Sequence, residues 1–70
     1  MKETIYVEAV AGKSSVNPAV YQFKVYRYDY NGREYLLYRS GFSYVSKEST
    51  LADGVKWCKA NGYPNVETIN

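Results

Sequence analysis

The sequence VYQFKVYRYDYNGREYLLY, positions 20–38, predicts a β-hairpin. Before the Asn31-Gly32 pair, apolar and aromatic residues alternate with polar ones, which is the two-residue period of a half-buried strand. Asn and Gly both tolerate the positive φ values that tight hairpin loops need. The aromatic and aliphatic positions that follow favour a returning strand. We therefore predict strands over 20–30 and 33–38.

A two-residue type I′ loop would place an aromatic and basic set of side chains on one face. In that register Tyr28 lies opposite Tyr35, and Tyr26 lies opposite Leu37. This face carries Lys24, Tyr26, Tyr28, Tyr35, Leu37 and Arg39. The other face carries Phe23, Val25, Leu36, Tyr38 and Phe42, and it is apolar enough to receive a helix.

A three-residue loop with a bulge at Gly32 is the alternative. It sets Asp29 opposite Arg33, which is electrostatically better than Asp29 opposite Glu34. Such a one-residue slip turns the third strand over, because side chains alternate between the two faces. The candidates that share a face in both registers are Lys24, Tyr26 and Tyr28.

The flanking segments complete an α+β domain. Residues 4–10 are rich in β-branched and aromatic side chains and predict a first strand, whereas 11–18 have the Gly, Ser and Asn-Pro content of a loop. Residues 42–45 continue the third strand or form a separate one. The predicted fold is a three-stranded antiparallel sheet followed by one helix packed on one face, β-β-β-α. A short final strand over 66–69 is left open.

The helix is predicted from its caps and its apolar stripe. Thr50 is a good N-cap, and Asp53 suits the first turn. Asn61-Gly62 ends the helix, because Gly62 can adopt the left-handed conformation. The stripe at helical spacing consists of Leu51, Gly54, Val55 and Cys58.

Composition limits what can stabilise this fold. Seventy residues make one small domain, and a chain of this length buries only about 60% of its unfolded surface. Cys58 is the single cysteine and histidine is absent, so an intramolecular disulfide is excluded. We expect aromatic packing, supplied by nine tyrosines, or a second copy of the chain to hold the domain together.

Charge and hydropathy bear on location and partners. The net charge of +2 and the pI near 8.7 permit a nucleic-acid partner without requiring one. No apolar run reaches the length of a membrane span, and residues 1–4 begin a strand-like pattern rather than a signal peptide. We expect a complete, cytoplasmic gene product that makes no membrane contact.

An enzyme is not expected. Without histidine, acid–base catalysis would fall to Asp29, Asp53 and the five glutamates, which mostly stand beside lysines or arginines. Cys58 lies on the helix stripe without a histidine partner, which is typical of a buried small hydrophobic residue. Neither a cofactor nor a metal is expected.

The aromatic and basic hairpin face indicates a binding protein. Tyr and Arg are favoured at protein interfaces, and rings among basic residues can also stack bases and neutralise phosphates. The contacts predicted for a protein partner, or for a second copy in a homodimer, are Lys24, Tyr26, Tyr28, Tyr35, Arg39 and Trp57. The phosphate contacts of the nucleic-acid alternative are Lys24, Arg33, Arg39, Lys56 and Lys59.

Three observations weigh on these hypotheses. Tyrosines have high strand propensity and can simply cover a small sheet. Trp57 lies off the helix stripe, either as a partial core residue over the sheet edge or as an exposed interface anchor. Asp29, Glu34 and Glu48 stand among the basic residues, which weakens a phosphate-binding surface. A protein partner is therefore the leading hypothesis, and a small phage-type accessory or inhibitor protein would fit it.

About half of the chain resembles the YegP-like family of small ββα domains. The matching residues are Asn31-Gly32, Gly41-Phe42, Ser46-Lys47, Gly54-Val55 and Lys59. The resemblance implies a hairpin, a Gly-aromatic-x-Ser-Lys step and a helix, in domains that pair as tandem repeats or dimers. This chain departs from the family in a longer step from Phe42 to Ser46 and in its first strand. The same segment is similar to the three-stranded arm-type DNA-binding domain of tyrosine integrases.

Overall fold

The computed structural model describes residues 3–12, 20–42 and 45–69. Its elements are β1 (Ile5–Ala11), β2 (Tyr21–Tyr28), β3 (Glu34–Arg39), α1 (Lys47–Ala60) and β4 (Val66–Ile69). The sheet order is β3-β2-β1-β4, with β2 antiparallel to both its neighbours and β4 parallel to β1. The predicted α+β fold is confirmed, and the C-terminal residues form the short fourth strand. Most of the loop predicted over 11–18 lies outside the described residues.

Helix α1 packs over β1, β2 and β4 on one face of the sheet. Alternate residues of β1 and β2 point towards it, because Val7 pairs with Val25 and Ala9 with Phe23. The buried core cluster consists of Ile5, Val7, Phe23, Val25, Leu51 and Cys58. Strand β3 lies outside this cover, and its side chains are exposed apart from the half-buried Leu37.

Gly54 lets the helix approach the sheet closely. A methyl group built on its Cα would overlap Val7 Cγ1 and lie 3.2 Å from the Phe23 ring. The apolar stripe predicted from the sequence therefore faces the sheet, and its smallest member sits at the closest approach.

The predicted helix start at Thr50 is wrong, because Ser46 is the N-cap. Its hydroxyl accepts a hydrogen bond from the Ser49 backbone N–H at 3.2 Å. Thr50 lies fully buried in the first turn, and its hydroxyl donates to the Ser46 carbonyl at 2.6 Å. Both residues have side chains suited to an N-cap, but Thr50 bonds back along the helix instead.

The predicted helix end at Asn61-Gly62 is confirmed. Gly62 has a φ of +81° and donates its N–H to the Lys59 carbonyl at 3.2 Å. The Tyr63 N–H reaches the Cys58 carbonyl at 3.0 Å, which completes a Schellman motif.

A strand is predicted over 42–45, but Phe42 and Val45, at the two ends of this segment, lie outside the strands of the structure. Residues 43–44 are not among the described residues. Within the described ranges, no helix has the length and apolar character needed to cross a membrane.

Candidate functional site

The hairpin loop contains three residues and a bulge at Gly32. The Asp29 N–H donates to the Arg33 carbonyl, and the Gly32 N–H donates to the Asp29 carbonyl, both at 2.9 Å. Asp29 Oδ1 also accepts the backbone N–H groups of Asn31 and Arg33. Gly32 has a φ of +79°, whereas a type I′ loop would also need a positive φ at Asn31. The three-residue alternative is therefore the one that forms.

A second irregularity, in the middle of β3, shifts the register back by one residue. The Cα partners are Tyr28–Glu34, Arg27–Tyr35, Tyr26–Leu36, Val25–Tyr38 and Lys24–Arg39. Leu37 is the extra residue of this bulge. Strand β3 thus begins in the register of the three-residue loop and ends in that of the two-residue loop.

This double register corrects two residues of the predicted binding face. Tyr35 lies opposite Arg27 on the helix side of the sheet, where the guanidinium carbon is 4.7 Å from the ring centroid. Leu37 packs against the core cluster. Leu36 takes the place beside Tyr26 that the two-residue loop would have given to Leu37.

We call the side of the sheet without the helix the open face. Its central residues are Tyr6, Glu8, Lys24, Tyr26, Tyr28, Glu34, Leu36, Arg39 and Glu67. Lys24, Tyr26 and Tyr28 share this face, as both predicted registers require. Arg39 joins them because the bulge restores its pairing with Lys24.

Three tyrosines form a cluster on the open face. The rings of Tyr6, Tyr26 and Tyr28 have centroids 5.4–5.7 Å apart, in stacked and edge-on arrangements. Tyr26 lies at the centre and is only 4% exposed, whereas Tyr28 is 48% exposed. The prediction that Tyr26 is exposed is therefore wrong, because its own neighbours cover it.

Polar contacts fix Tyr26 from both sides. Its hydroxyl donates to Glu8 Oε1 at 3.1 Å, and Lys24 Nζ lies 4.8 Å from its ring centroid. Burial, followed by the neighbouring Glu8 carboxylate, raises the pKa of Tyr26 far above its ordinary value. Lys24 Nζ also pairs with Glu34 at 3.1 Å. We call these four residues, Glu8, Tyr26, Lys24 and Glu34, the Tyr26 network.

Outside the Tyr26 network, the exposed side chains of the open face are Tyr28, Leu36, Arg39 and Glu67. Leu36 is 48% exposed and lies diagonally across from Tyr28. Tyr28 contacts the rings of Tyr6 and Tyr26, and Leu36 lies opposite Tyr26 on the neighbouring strand. The central charges are mixed, with two cations and three carboxylates, so this face presents no continuous positive field.

Trp57 lies on the helix side of the sheet. Its ring stacks on that of Tyr38, with 4.6 Å between the ring centroids and 15° between the ring planes. It also stacks on the ring of Tyr63, with a centroid distance of 6.0 Å and an interplanar angle of 21°. It is half-buried and packs against the core cluster. The position agrees with the partial core residue predicted as one of two alternatives, and it separates Trp57 from the open face.

The structure does not bring together the five predicted phosphate contacts. Lys24 and Arg39 lie on the open face, and Arg33 follows the hairpin loop. The exposed Lys56 and Lys59 belong to α1, which covers the opposite face. A single strand of nucleic acid along the open face would therefore meet two of these cations.

Leu36, Tyr6 and Glu8 are the residues of this face that sequence reasoning missed. Tyr6 and Glu8 alternate with the core residues of β1, so their period places them on the outer face. Their contact with Tyr26 depends on the register in which β1 pairs with β2. That register cannot be read from the sequence, because a long segment connects the two strands. Leu36 reaches this face only through the Gly32 loop.

Cys58 is fully buried, and this burial raises the pKa of its thiol. Among residues 3–12, 20–42 and 45–69, no group of three or more His, Cys, Asp or Glu side chains is placed to hold a metal ion.

Comparison of the chain with protein-family models, curated proteins and solved structures gave no significant match. The resemblance to the YegP-like family therefore stays a prediction.

Proposed function

We propose that this chain is a non-catalytic binding module that docks another protein on its open face. The observation that carries the proposal is the diagonal placement of two half-exposed side chains, Tyr28 and Leu36, on either side of a buried and hydrogen-bonded Tyr26. Arg39 borders this pair on the same face. Aromatic residues and Arg are the side chains most often found as interface anchors.

The rigid base supports this role in energetic terms. Binding loses free energy when mobile side chains must be ordered. The ring contacts of Tyr28 with Tyr6 and Tyr26 already restrict it before a partner arrives. A partner of matching shape would therefore gain contact area at a low entropic cost.

The mixed charges favour protein over nucleic acid. Glu8 and Glu34 interact with Tyr26 and Lys24, and Glu67 lies on the same face, so phosphates would meet carboxylates there. At a protein interface the same charges lie at the rim and select among partners. A small accessory or inhibitor protein would act in this way, and the free Cys58 thiol fits a reducing compartment such as the cytoplasm.

Site-specific cross-linking tests the proposal. A photo-reactive phenylalanine analogue replaces Tyr28 on the open face or Lys56 on the helix in cells that produce the protein. We expect one protein adduct from position 28, abolished by Arg39→Glu, and none of that mass from position 56. Equal yields at the two positions would contradict a specific open face.

A salt titration tests the nucleic-acid alternative. Purified chain is mixed with single- and double-stranded DNA and RNA at low and moderate salt. We expect no tight binding, because two cations on the face cannot release many counterions. Micromolar binding that weakens steeply with salt, and is lost in Lys24→Glu/Arg39→Glu, would replace a protein partner with nucleic acid.

A further inference from the structure

Strand β3 is one of the two edge strands of the sheet, and no other strand of the described residues pairs with its outer side. It presents Tyr35, Leu36 and Tyr38 at exposures of 40–53%. An edge of this kind offers unpaired backbone groups to another strand, and natural edges are usually protected against this. The side chains of β3 show which strand fits.

The sequence of β3 is Glu-Tyr-Leu-Leu-Tyr-Arg, which is complementary to itself when reversed. Because Leu37 is the bulge residue and takes no place in the alternation of β3, an antiparallel copy centred on Leu36 sets Glu34 opposite Arg39 at both ends. The same register sets Tyr35 opposite Tyr38 on each side of the centre. Opposite charges and aromatic pairs are the combinations that stabilise neighbouring strands.

The bulge at Leu37 makes this pairing sterically consistent. Residues opposite each other in an antiparallel pair must lie on the same face of the sheet. In a regular strand, Glu34 and Arg39 would lie on opposite faces, because they are an odd number of positions, five, apart. Here both pair with even-numbered residues of β2, Tyr28 and Lys24, so both lie on the open face.

The tyrosines obey the same relation. Tyr35 pairs with Arg27 and Tyr38 with Val25, which places both tyrosines on the helix side. A two-fold axis perpendicular to the sheet therefore matches faces as well as charges.

We propose that two copies of the chain associate through their β3 strands in this register. The dimer contains one continuous eight-stranded sheet with two open faces side by side. Two linked binding faces raise the apparent affinity for a partner that carries two matching sites. The contact is a single pair of short strands, so we expect a dimer of moderate affinity. Dimerisation uses the edge of the sheet and does not rest on the docking function of the open face.

Charge reversal tests the register. Sedimentation equilibrium compares the wild-type chain with Glu34→Arg, Arg39→Glu and the double variant. Each single change brings like charges together at both ends of the pair, and we expect dimer affinity to fall about tenfold. The double variant restores both pairs and also keeps a carboxylate beside Lys24, so its affinity returns to within about threefold of wild type. A chain that stays monomeric near millimolar concentration, or single variants as dimeric as wild type, would overturn the proposal.

Cysteine cross-linking gives a second test that does not depend on charge. Glu34→Cys and Arg39→Cys are oxidised with glutathione disulfide, separately and as an equal mixture. In the mixture, position 34 of one copy lies opposite position 39 of the other, with about 5 Å between the two Cβ atoms. In either variant alone, the two cysteines occupy the same position in the two copies and lie about 15 Å apart. We expect covalent dimers mainly from the mixture. Equal cross-linking of each variant with itself would contradict the register. If the chain proves to be monomeric, the dimer proposal fails, but the proposal that the open face docks another protein is unaffected.

Discussion

The Tyr26 hydroxyl donates a hydrogen bond to Glu8 Oε1 at 3.1 Å, across the pair of strands β1 and β2. This contact lies on the side of the sheet without the helix, where it anchors a buried ring beneath exposed ones. The open face is therefore built on an ordered layer of its own.

Removal of this hydroxyl should destabilise the fold. Tyr26→Phe keeps the ring but leaves Glu8 without its donor, so we expect a loss of about 1 kcal/mol in the free energy of unfolding. Urea unfolding measures it. Tyr30→Phe is the control, because Tyr30 is 98% exposed in the hairpin loop and should change stability by less than about 0.5 kcal/mol. Equal losses in both variants would mean that the hydrogen bond contributes nothing specific.

The raised pKa of Tyr26 predicts a dependence on alkaline pH. The phenol loses its proton near pH 10.0 in the unfolded chain and only at higher pH in the folded one. The folded state then holds the proton that the unfolded state has lost, so the stability contributed by Tyr26 is fully present below pH 10 and declines above it. We expect the stability difference between wild type and Tyr26→Phe to shrink from pH 9 to pH 11. A difference that grows over this range would contradict the burial of the neutral phenol.

Gly54 should not tolerate a methyl group. Gly→Ala inside a helix ordinarily stabilises it by about 1 kcal/mol, but here the methyl would meet Val7 and Phe23. Overpacking costs about 1–3 kcal/mol, so we expect no gain and a net loss of up to about 2 kcal/mol. Thermal unfolding compares Gly54→Ala with Gly41→Ala, where the added carbon has no neighbour within 4 Å. A more stable Gly54→Ala would show that the helix is not seated this closely.

Trp57 should contribute to stability rather than to partner binding. Its ring is stacked between Tyr38 and Tyr63 over the core cluster. Because the ring is only half-buried, Trp57→Ala should cost about 2 kcal/mol, below the range for fully buried aromatic residues. Urea unfolding checks the loss. At a temperature where the variant is folded, its affinity for a partner should match that of wild type.

The elements of this fold follow from local patterns, but the faces of β3 do not. The alternation in β2, the Asn31-Gly32 turn and the Gly62 cap each act through neighbouring residues, and the structure confirms them. The bulge at Leu37 depends on how β3 meets β2, and no local residue type marks it. The two-residue register therefore places Tyr35 on the wrong face, and the three-residue register does the same for Arg39.

The burial of Tyr26 was also beyond local reasoning. Its period places it on the outer face, where exposure is the usual expectation. Tyr6 and Glu8 cover it from β1, which pairs with β2 across a connection that carries no register signal of its own. The N-cap is ambiguous for a different reason, since Ser46 and Thr50 are both suitable capping residues four positions apart.

The central claim is that the open face, and not the helix, contacts another protein. Once cross-linking through position 28 has identified the partner, calorimetry with the purified partner compares wild type, Tyr28→Ala and Lys56→Ala. Both substitutions lie on exposed side chains away from the core cluster. We expect Tyr28→Ala to weaken binding by about tenfold or more, as the loss of an interface anchor does, and Lys56→Ala by less than about twofold. A loss confined to Lys56→Ala would contradict the assignment of the binding face.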